Sequence, residues 1–183
     1  MGRFLIAYDI PEEFHQNLSE LCRLATGKPL EIERPHITII PPFYLASHTE
    51  TQSAVDQISR LLNQYADQPI TATATRLGQF SQDDGCILFL EIEPVDRFTM
   101  IHNELQKALA DRIQLDTSPY ASGIVPEFKP HLSITYNSAE ISIETQQTVQ
   151  HRLENMNLEW NLEPPTLRME QQPGVWVTMG SNH

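Results

Sequence analysis

Cysteine is scarce in this sequence. Its 183 residues include two cysteines, Cys22 and Cys86, and neither has another cysteine nearby. This spacing supports neither a disulfide framework nor a structural zinc site. Cys22 lies in a helical pattern and Cys86 in a strand pattern, so we expect both to pack as small apolar side chains.

Long hydrophobic runs are also missing. No stretch of about 18 apolar residues occurs, and the opening "MGRFLIAYDIPEE" lacks the basic region, apolar segment and cleavage site of a secretory signal. We therefore expect a soluble cytoplasmic protein with no membrane partner. Gly2 does not predict myristoylation, because Ile6 stands where the acceptor pattern requires Ser or Thr.

Positive charge is in short supply. The chain carries 24 acidic residues against 12 lysines and arginines, for a formal net charge of −12 at pH 7. Such a surface repels a long phosphate backbone at a distance. We therefore expect no long nucleic acid as a partner, and any nucleic-acid substrate should be small or bound only locally.

The chain contains two copies of one short sequence motif. "RPHITII" covers residues 34–40 and "KPHLSIT" covers residues 129–135, so each copy reads basic residue, proline, histidine, aliphatic residue, hydroxyl residue and isoleucine. Side chains two residues apart in a strand point to the same side, at about 6.5 to 7 Å. Each copy therefore predicts a polar row on one strand face. The rows are Arg34, His36 and Thr38, and Lys129, His131 and Ser133.

The two copies occupy similar places in two halves of the chain, residues 1–94 and 95–183. Each half contains a strand with the motif, then a helix, then further strands, which is an internal repeat of architecture. Polar and apolar residues alternate in the strands, as is typical of antiparallel sheets covered by helices on one side. We predict an α+β fold within residues 1–183, with two pseudo-symmetric lobes and a cleft between them. A doubly wound dinucleotide fold is disfavoured, because "AYDIPEE" replaces the glycine-rich turn after the first strand.

The paired rows suit a phosphodiester. Pro35 and Pro130 cannot donate to a sheet ladder, so each histidine is expected at a strand start or edge, where a groove can reach it. Hydrolysis in line needs one group to accept a proton from water and an opposed group to protonate the leaving oxygen. Imidazole can do either near neutral pH, because its usual pKa is about 6.5. The hydroxyls can donate hydrogen bonds to the phosphate oxygens, and the two basic residues are possible auxiliaries.

Structural alternatives accompany each of these predictions. A single copy of the motif is weak evidence, because an isolated histidine is more often a packed core residue, whereas two copies in equivalent positions favour a shared function. Phe43 and Tyr136 follow the two motifs and either stack on a base or cap the hydrophobic core. The remaining histidines are predicted to be surface residues: His15, His48, His102, His151 and His183. No His-x-His or H-E-x-x-H spacing suggests a metal site.

On these motifs the sequence resembles the two-histidine (2H) phosphoesterases, and within them the branch of 2′-5′ RNA ligases and RNA 2′,3′-cyclic phosphodiesterases. The resemblance extends over nearly the whole chain, including "RLGQF" at residues 76–80. It implies metal-independent opening of a 2′,3′-cyclic phosphate to a 2′-phosphate, without a cofactor. The family roles then fall on His36 and His131 as acid and base, in an order left open, and on Thr38 and Ser133 as phosphate ligands. Serine in the second motif keeps the donor that threonine more often supplies.

Three functions remain at this stage. The first is hydrolysis of a cyclic phosphate on a small nucleotide or an RNA end, by a protein that we expect to be a monomer. The second is 2′-5′ RNA ligation by the reverse reaction, ranked lower because water greatly outnumbers any 2′-hydroxyl. The third is a nucleotide-binding module without catalysis, which the presence of all four motif residues disfavours.

Overall fold

The strands of this chain join into one antiparallel sheet. The structure is a computed structural model and describes residues 2–46, 51–82, 85–116, 128–135 and 138–179. The strands are β1 (Arg3–Asp9), β2 (His36–Leu45), β3 (Ile70–Gln82), β4 (Gly85–Glu93), β5 (Ile113–Leu115), β6 (His131–Ser133), β7 (Glu159–Leu162), β8 (Thr166–Gln172) and β9 (Val175–Thr178). The helices are α1 (His15–Thr26), α2 (Thr51–Leu62), α3 (Val95–Leu109) and α4 (Ile143–Met156).

The sheet order confirms the α+β class. The strands run β7-β3-β4-β6-β2-β1-β8-β9, with β5 attached to β2, and neighbouring strands are antiparallel. The two motif strands, β6 and β2, are direct neighbours at the centre, where Ile37 pairs with Leu132. The two sheet halves therefore meet edge to edge along the motifs instead of facing each other across a gap.

The repeat is visible in the order of the elements. The sequence β1-α1-β2-α2 is matched by β4-α3-β6-α4, with the added short strand β5 between α3 and β6. After the first unit the chain crosses to the other half, where β3 pairs with β4. After the second unit β7 stays beside β3, and the chain then crosses so that β8 pairs with β1. Both sequence halves, 1–94 and 95–183, thus contribute strands to both halves of the sheet.

One face of the sheet is covered by helices. Tyr8, Ile37, Leu132 and Leu90 are aligned across β1, β2, β6 and β4, and each is at most 2% exposed. The Phe98 ring on α3 packs against Tyr8 in a T-shaped arrangement, with ring centroids 5.8 Å apart. Because alternate side chains point to opposite faces, the residues on either side of this apolar row point away from the helices. Those residues include the motif histidines and hydroxyls.

Local signals explain where several elements end. Helix α1 stops at Gly27, whose φ of 77° is left-handed and favours glycine. Helix α4 starts after Ser142, whose side chain accepts a hydrogen bond from the backbone N–H of Thr145. Cys22 and Cys86 are buried and unpaired, as predicted. Within the described ranges, no helix has both the length and the apolar character needed to cross a membrane.

Two elements differ from the sequence prediction. The alternation in "LEIERPHITII" predicts a strand from Leu30, but β2 begins at His36 and residues 31–34 form a loop. Pro35 accounts for this, since it lacks a donor for the ladder while its carbonyl accepts from the backbone N–H of Ile10 at 3.1 Å. Ile113 fits the apolar spacing of α3 but lies in β5, where it pairs with Leu45.

Candidate active site

The four predicted motif side chains lie on one face of the sheet. Because Ile37 pairs with Leu132 in antiparallel register, His36 stands opposite Ser133 and Thr38 opposite His131. Opposed Cβ atoms in such a pair are about 4.5 to 5.5 Å apart, and diagonal ones about 7 to 8 Å. The two imidazoles therefore occupy one diagonal and the two hydroxyls the other. A local twofold axis passes through the Ile37 and Leu132 pair.

Both imidazoles are oriented by the same backbone contact. The Nδ1 of His36 donates to the carbonyl oxygen of Arg34 at 2.9 Å, and the Nδ1 of His131 donates to that of Lys129 at 2.8 Å. A carbonyl oxygen can only accept, so Nδ1 carries the hydrogen in each ring. Nε2 is left as the nitrogen that exchanges a proton with a substrate. Each histidine is thus built to serve as either acid or base.

Burial affects both histidines in the same direction. It lowers the pKa of His36 below the usual value of about 6.5, and the bond to the Arg34 carbonyl offsets part of that effect. Burial also lowers the pKa of His131, the Lys129 carbonyl offsets part of it, and the charge of His36 lowers it further. The effect of the His36 charge on His131 agrees with the strand register, which places the two rings on one diagonal of the same sheet face.

The hydroxyl groups of Thr38 and Ser133 are available to donate hydrogen bonds. Both side chains are half-buried on the same face as the histidines. Neither hydroxyl has a hydrogen-bond partner among the residues that the structure describes. Two hydroxyls on the diagonal that crosses the imidazole diagonal can donate to the non-bridging oxygens of a phosphate.

An aromatic wall stands beside His131. Phe80 of β3 stacks on Phe89 of β4 with centroids 4.1 Å apart, and both rings approach His131 edge-on at 5.2 Å and 5.4 Å. Gly78 makes the wall possible, because a Cβ there would lie 2.4 Å from the tip of the Phe89 ring. These rings displace water around His131, which is the burial that lowers its pKa. Neither phenylalanine is among the residues predicted from the sequence, although Phe80 ends the "RLGQF" segment.

A carboxylate held by an arginine flanks each histidine. Asp9 pairs with His36 across β1 and β2, and Glu91 pairs with His131 across β4 and β6. Arg168 of β8 donates to Asp9 from Nη2, and Arg76 of β3 donates to both oxygens of Glu91, at 2.9 Å and 2.7 Å. Sequence reasoning missed this second repeat. Its signal was an acid two or three residues before a proline that follows the strand, in "YDIP" and "EIEP".

The predicted auxiliary residues take other places. Arg34 and Lys129 precede the strands and are exposed, so their backbone carbonyls, and not their charges, contact the histidines. Phe43 is 0% exposed and stacks on Phe4 at 5.9 Å, which leaves the core role as the one of its two alternatives that the structure supports. Tyr136 lies outside the described residues.

Two of the other histidines, His102 and His15, are half-buried where the sequence predicted surface residues. His102, predicted at the surface, is half-buried on α3: its Nδ1 donates to the Ile39 carbonyl at 2.7 Å, and its ring stacks on Phe128 at 4.2 Å. This contact ties α3 to β2 and to the segment before His131. His151 is exposed and His15 half-buried, whereas His48 and His183 fall outside the described ranges.

A cavity of about 830 Å³ opens on the His36 side of the motifs. It is bordered by the loop before β2, the segment after β6, the start of α4 and the turn between β8 and β9. Arg168 and Trp176 line it together with His36, whereas His131 does not. In the part of the chain that is described, no group of three or more His, Cys, Asp or Glu side chains is arranged to hold a metal ion.

Comparison with known proteins identifies the family of this chain. Residues 10–169 match the family model described as the 2′-5′ RNA ligase superfamily. The chain belongs to that superfamily. The two-histidine phosphoesterase assignment made from the motifs is thereby confirmed. No curated protein matches the sequence.

Solved structures show the same fold. TT0787 of Thermus thermophilus is 18% identical, with a TM-score of 0.62 over 97% of this chain and 95% of its own. LigT of E. coli, solved with 3′-AMP, is 16% identical, with a TM-score of 0.62 over 98% of this chain and 95% of its own. The predicted fold class is confirmed over almost the full length. The superfamily assignment indicates an enzyme that acts on phosphodiester bonds.

Proposed function

We propose that this protein is a metal-independent cyclic phosphodiesterase, which hydrolyses a 2′,3′-cyclic phosphate on a small nucleotide or RNA end to a 2′-phosphate. The observation that carries the proposal is the register of β2 and β6. It brings two imidazoles and two hydroxyls onto one face as crossed diagonals. This arrangement can surround a single phosphorus atom.

The proposed reaction needs both histidines in different protonation states. The neutral Nε2 of one ring accepts a proton as a water oxygen bonds to phosphorus. The bond from phosphorus to the 3′ oxygen then breaks, and the protonated Nε2 of the other ring gives its proton to that oxygen. The product carries a 2′-phosphate and a free 3′-hydroxyl, and the two rings have exchanged roles. Overall, one water molecule is consumed: its oxygen is added to phosphorus, one ring takes a proton from it, and the other ring gives a proton to the 3′ oxygen.

The hydroxyls and the aromatic wall have supporting roles in this proposal. Thr38 and Ser133 donate to the non-bridging oxygens, where negative charge builds in the transition state. Phe80 is half-buried beside His131 and offers a ring on which a base can stack, which is worth about 1 to 3 kcal/mol. The 3′-AMP in the LigT structure supports a guest of nucleotide size.

Ligation is the second candidate, since the superfamily is described by that reaction. The same acid and base catalyse ligation when the 5′-hydroxyl of a second RNA end replaces water: its oxygen bonds to phosphorus, the bond to the 3′ oxygen breaks, that oxygen takes the proton, and a 2′-5′ linkage results. No feature of the described site excludes water from the cavity beside His36. We therefore propose hydrolysis as the main direction.

A product assay tests the proposal. The pure protein, in EDTA, is given 2′,3′-cyclic nucleotides, an RNA with a terminal cyclic phosphate, and 2′-5′-linked oligonucleotides. We expect 2′-phosphate products from the cyclic substrates without added metal. A strict requirement for metal, 3′-phosphate products, or reaction with the 2′-5′ linkage alone would contradict the proposal.

A further inference from the structure

The two arginine-carboxylate pairs of the site differ in register and in environment. Arg76 lies directly opposite Glu91, whereas Arg168 lies opposite Leu5, four residues before Asp9. The side chain of Arg76 is 66% exposed and holds both oxygens of Glu91. The side chain of Arg168 is 1% exposed, and the Asp9 carboxylate that it contacts is 41% exposed. One pair is a solvated surface ion pair, whereas the other places a cation inside the protein.

Arg168 has donors that nothing uses. Its Nη2 donates to Asp9, but Nε and Nη1 are buried without a hydrogen-bond partner among the described residues. Burial lowers the pKa of Arg168 to about 10, so the guanidinium keeps its charge at neutral pH. Unsatisfied donors on a buried cation are costly and call for an explanation.

The unused donors of Arg168 lie beside the cavity that also contains His36. Arg168 lines the cavity beside His36, and its guanidinium reaches Asp9, the residue aligned with His36. On the His131 side the equivalent space is filled by Phe89, but on the His36 side Ala7 takes that position opposite Thr38. The small side chain leaves room between the motif and Arg168.

We propose that Arg168 binds a second phosphate of the substrate, namely the 5′-phosphate of the nucleotide whose cyclic phosphate lies between the histidines. This inference rests on the proposed function and extends it. The guanidinium turns toward the cavity, where its unused donors meet phosphate oxygens with the fork geometry that suits them. Without substrate, Asp9 balances its charge.

The inference narrows the substrate class. A nucleotide with a 5′-phosphate, or an RNA end whose last nucleotide has a 5′ phosphodiester, satisfies Arg168. A nucleoside 2′,3′-cyclic phosphate with a free 5′-hydroxyl leaves the donors of Arg168 unused. The protein should therefore prefer substrates that carry a phosphate group at the 5′ position.

The test compares a nucleoside 2′,3′-cyclic phosphate with and without a 5′-phosphate. For the wild type we expect kcat/KM to favour the 5′-phosphorylated form by about 10- to 100-fold, as for a charged hydrogen bond. In Arg168→Gln this ratio should fall toward one. Arg76→Gln, which removes the arginine of the other arginine-carboxylate pair, should keep the wild-type ratio.

A second variant covers the possibility that Arg168→Gln does not fold. Asp9→Asn keeps Arg168 and removes its competing carboxylate, so the preference for the 5′-phosphate should rise. Binding of the 5′-phosphorylated substrate can also be measured without turnover, from the shift that it causes in the unfolding temperature. It should weaken in Arg168→Gln and strengthen in Asp9→Asn.

The possible failures are distinguishable. If wild type hydrolyses both substrates equally, or if Arg168→Gln keeps the preference, the inference is wrong and the proposed function stands. If Arg168→Gln slows both substrates by the same factor, the arginine acts on the reacting phosphate, and the inference is again wrong. If neither substrate is hydrolysed, the proposed function is wrong. If the 5′-phosphorylated substrate then raises the unfolding temperature of Arg168→Gln as much as that of wild type, the inference is wrong as well.

Discussion

In the proposed reaction, two imidazoles with the same backbone contact take different protonation states. His36 and His131 both use Nδ1 on a backbone carbonyl, and burial lowers both pKa values. The aromatic wall lies beside His131, whereas the cavity opens beside His36. The difference in surroundings, and not in orientation, separates the roles of the two residues.

The pH dependence follows from these directions. Catalysis needs one ring protonated and one neutral, so kcat/KM should be bell-shaped, with its maximum at the mean of the two pKa values. Because both lie below about 6.5 in the free protein, the maximum should also lie below about 6.5. The rate falls at higher pH as the remaining proton is lost. A pH profile of kcat/KM checks this expectation.

The variant Phe80→Ser tests whether burial of His131 sets the pH of maximum kcat/KM. It admits water beside His131, which should raise the pKa of that ring and move the maximum toward neutral pH. A rate that rises steadily with pH, or a maximum that Phe80→Ser shifts to lower pH, would contradict the account.

Among the elements, the hairpin of β3 and β4 shapes one side of the site. Gly78 pairs with Phe89, and the absence of its side chain lets the Phe89 ring lie over the backbone of β3. Phe80 then stacks on Phe89, and both rings meet His131. A glycine two strands away from the motif thus positions the surroundings of a proposed catalytic residue.

Gly78→Ala tests this role of the hairpin. The new methyl group would overlap the Phe89 ring, so the ring must move, at a cost of about 1 to 3 kcal/mol in unfolding free energy. Because the ring contacts His131, activity should fall as well. Gln79→Ala, on the neighbouring exposed position of the same strand, should change neither quantity by much. Chemical denaturation and kcat/KM are the measurements, and wild-type values for Gly78→Ala would contradict the account.

At the scale of the whole molecule, the pseudo-symmetry of the sheet creates the site. The units β1-α1-β2-α2 and β4-α3-β6-α4 meet where β2 pairs with β6. Each unit contributes a histidine, a hydroxyl and a flanking carboxylate, and each receives an arginine from the strand that crosses over. The symmetry is broken where Ala7 stands in the place equivalent to Phe89, which leaves space on one side that we propose for the substrate.

The sequence predicts much of this arrangement. Alternation and turn signals indicate most strands and helices, and the repeated motif identifies His36, Thr38, His131 and Ser133. The single pair that joins the motifs, Ile37 with Leu132, is not predictable, because strand partners depend on contacts about a hundred residues apart. Asp9, Arg168 and the two phenylalanines join the site through further long-range pairs, of β1 with β2 and β8 and of β4 with β3 and β6. Their local sequence resembles ordinary strand.

The most direct test of the central claim is a double-mutant cycle on the two histidines. Turnover of a 2′,3′-cyclic nucleotide is measured for His36→Ala, His131→Ala and the double variant, with circular dichroism to verify folding. If both rings act on one phosphorus, each single variant should lose about 100-fold or more in kcat, and the double variant should lose little beyond the less active single variant. Losses that multiply, or full activity in either single variant, would contradict the account.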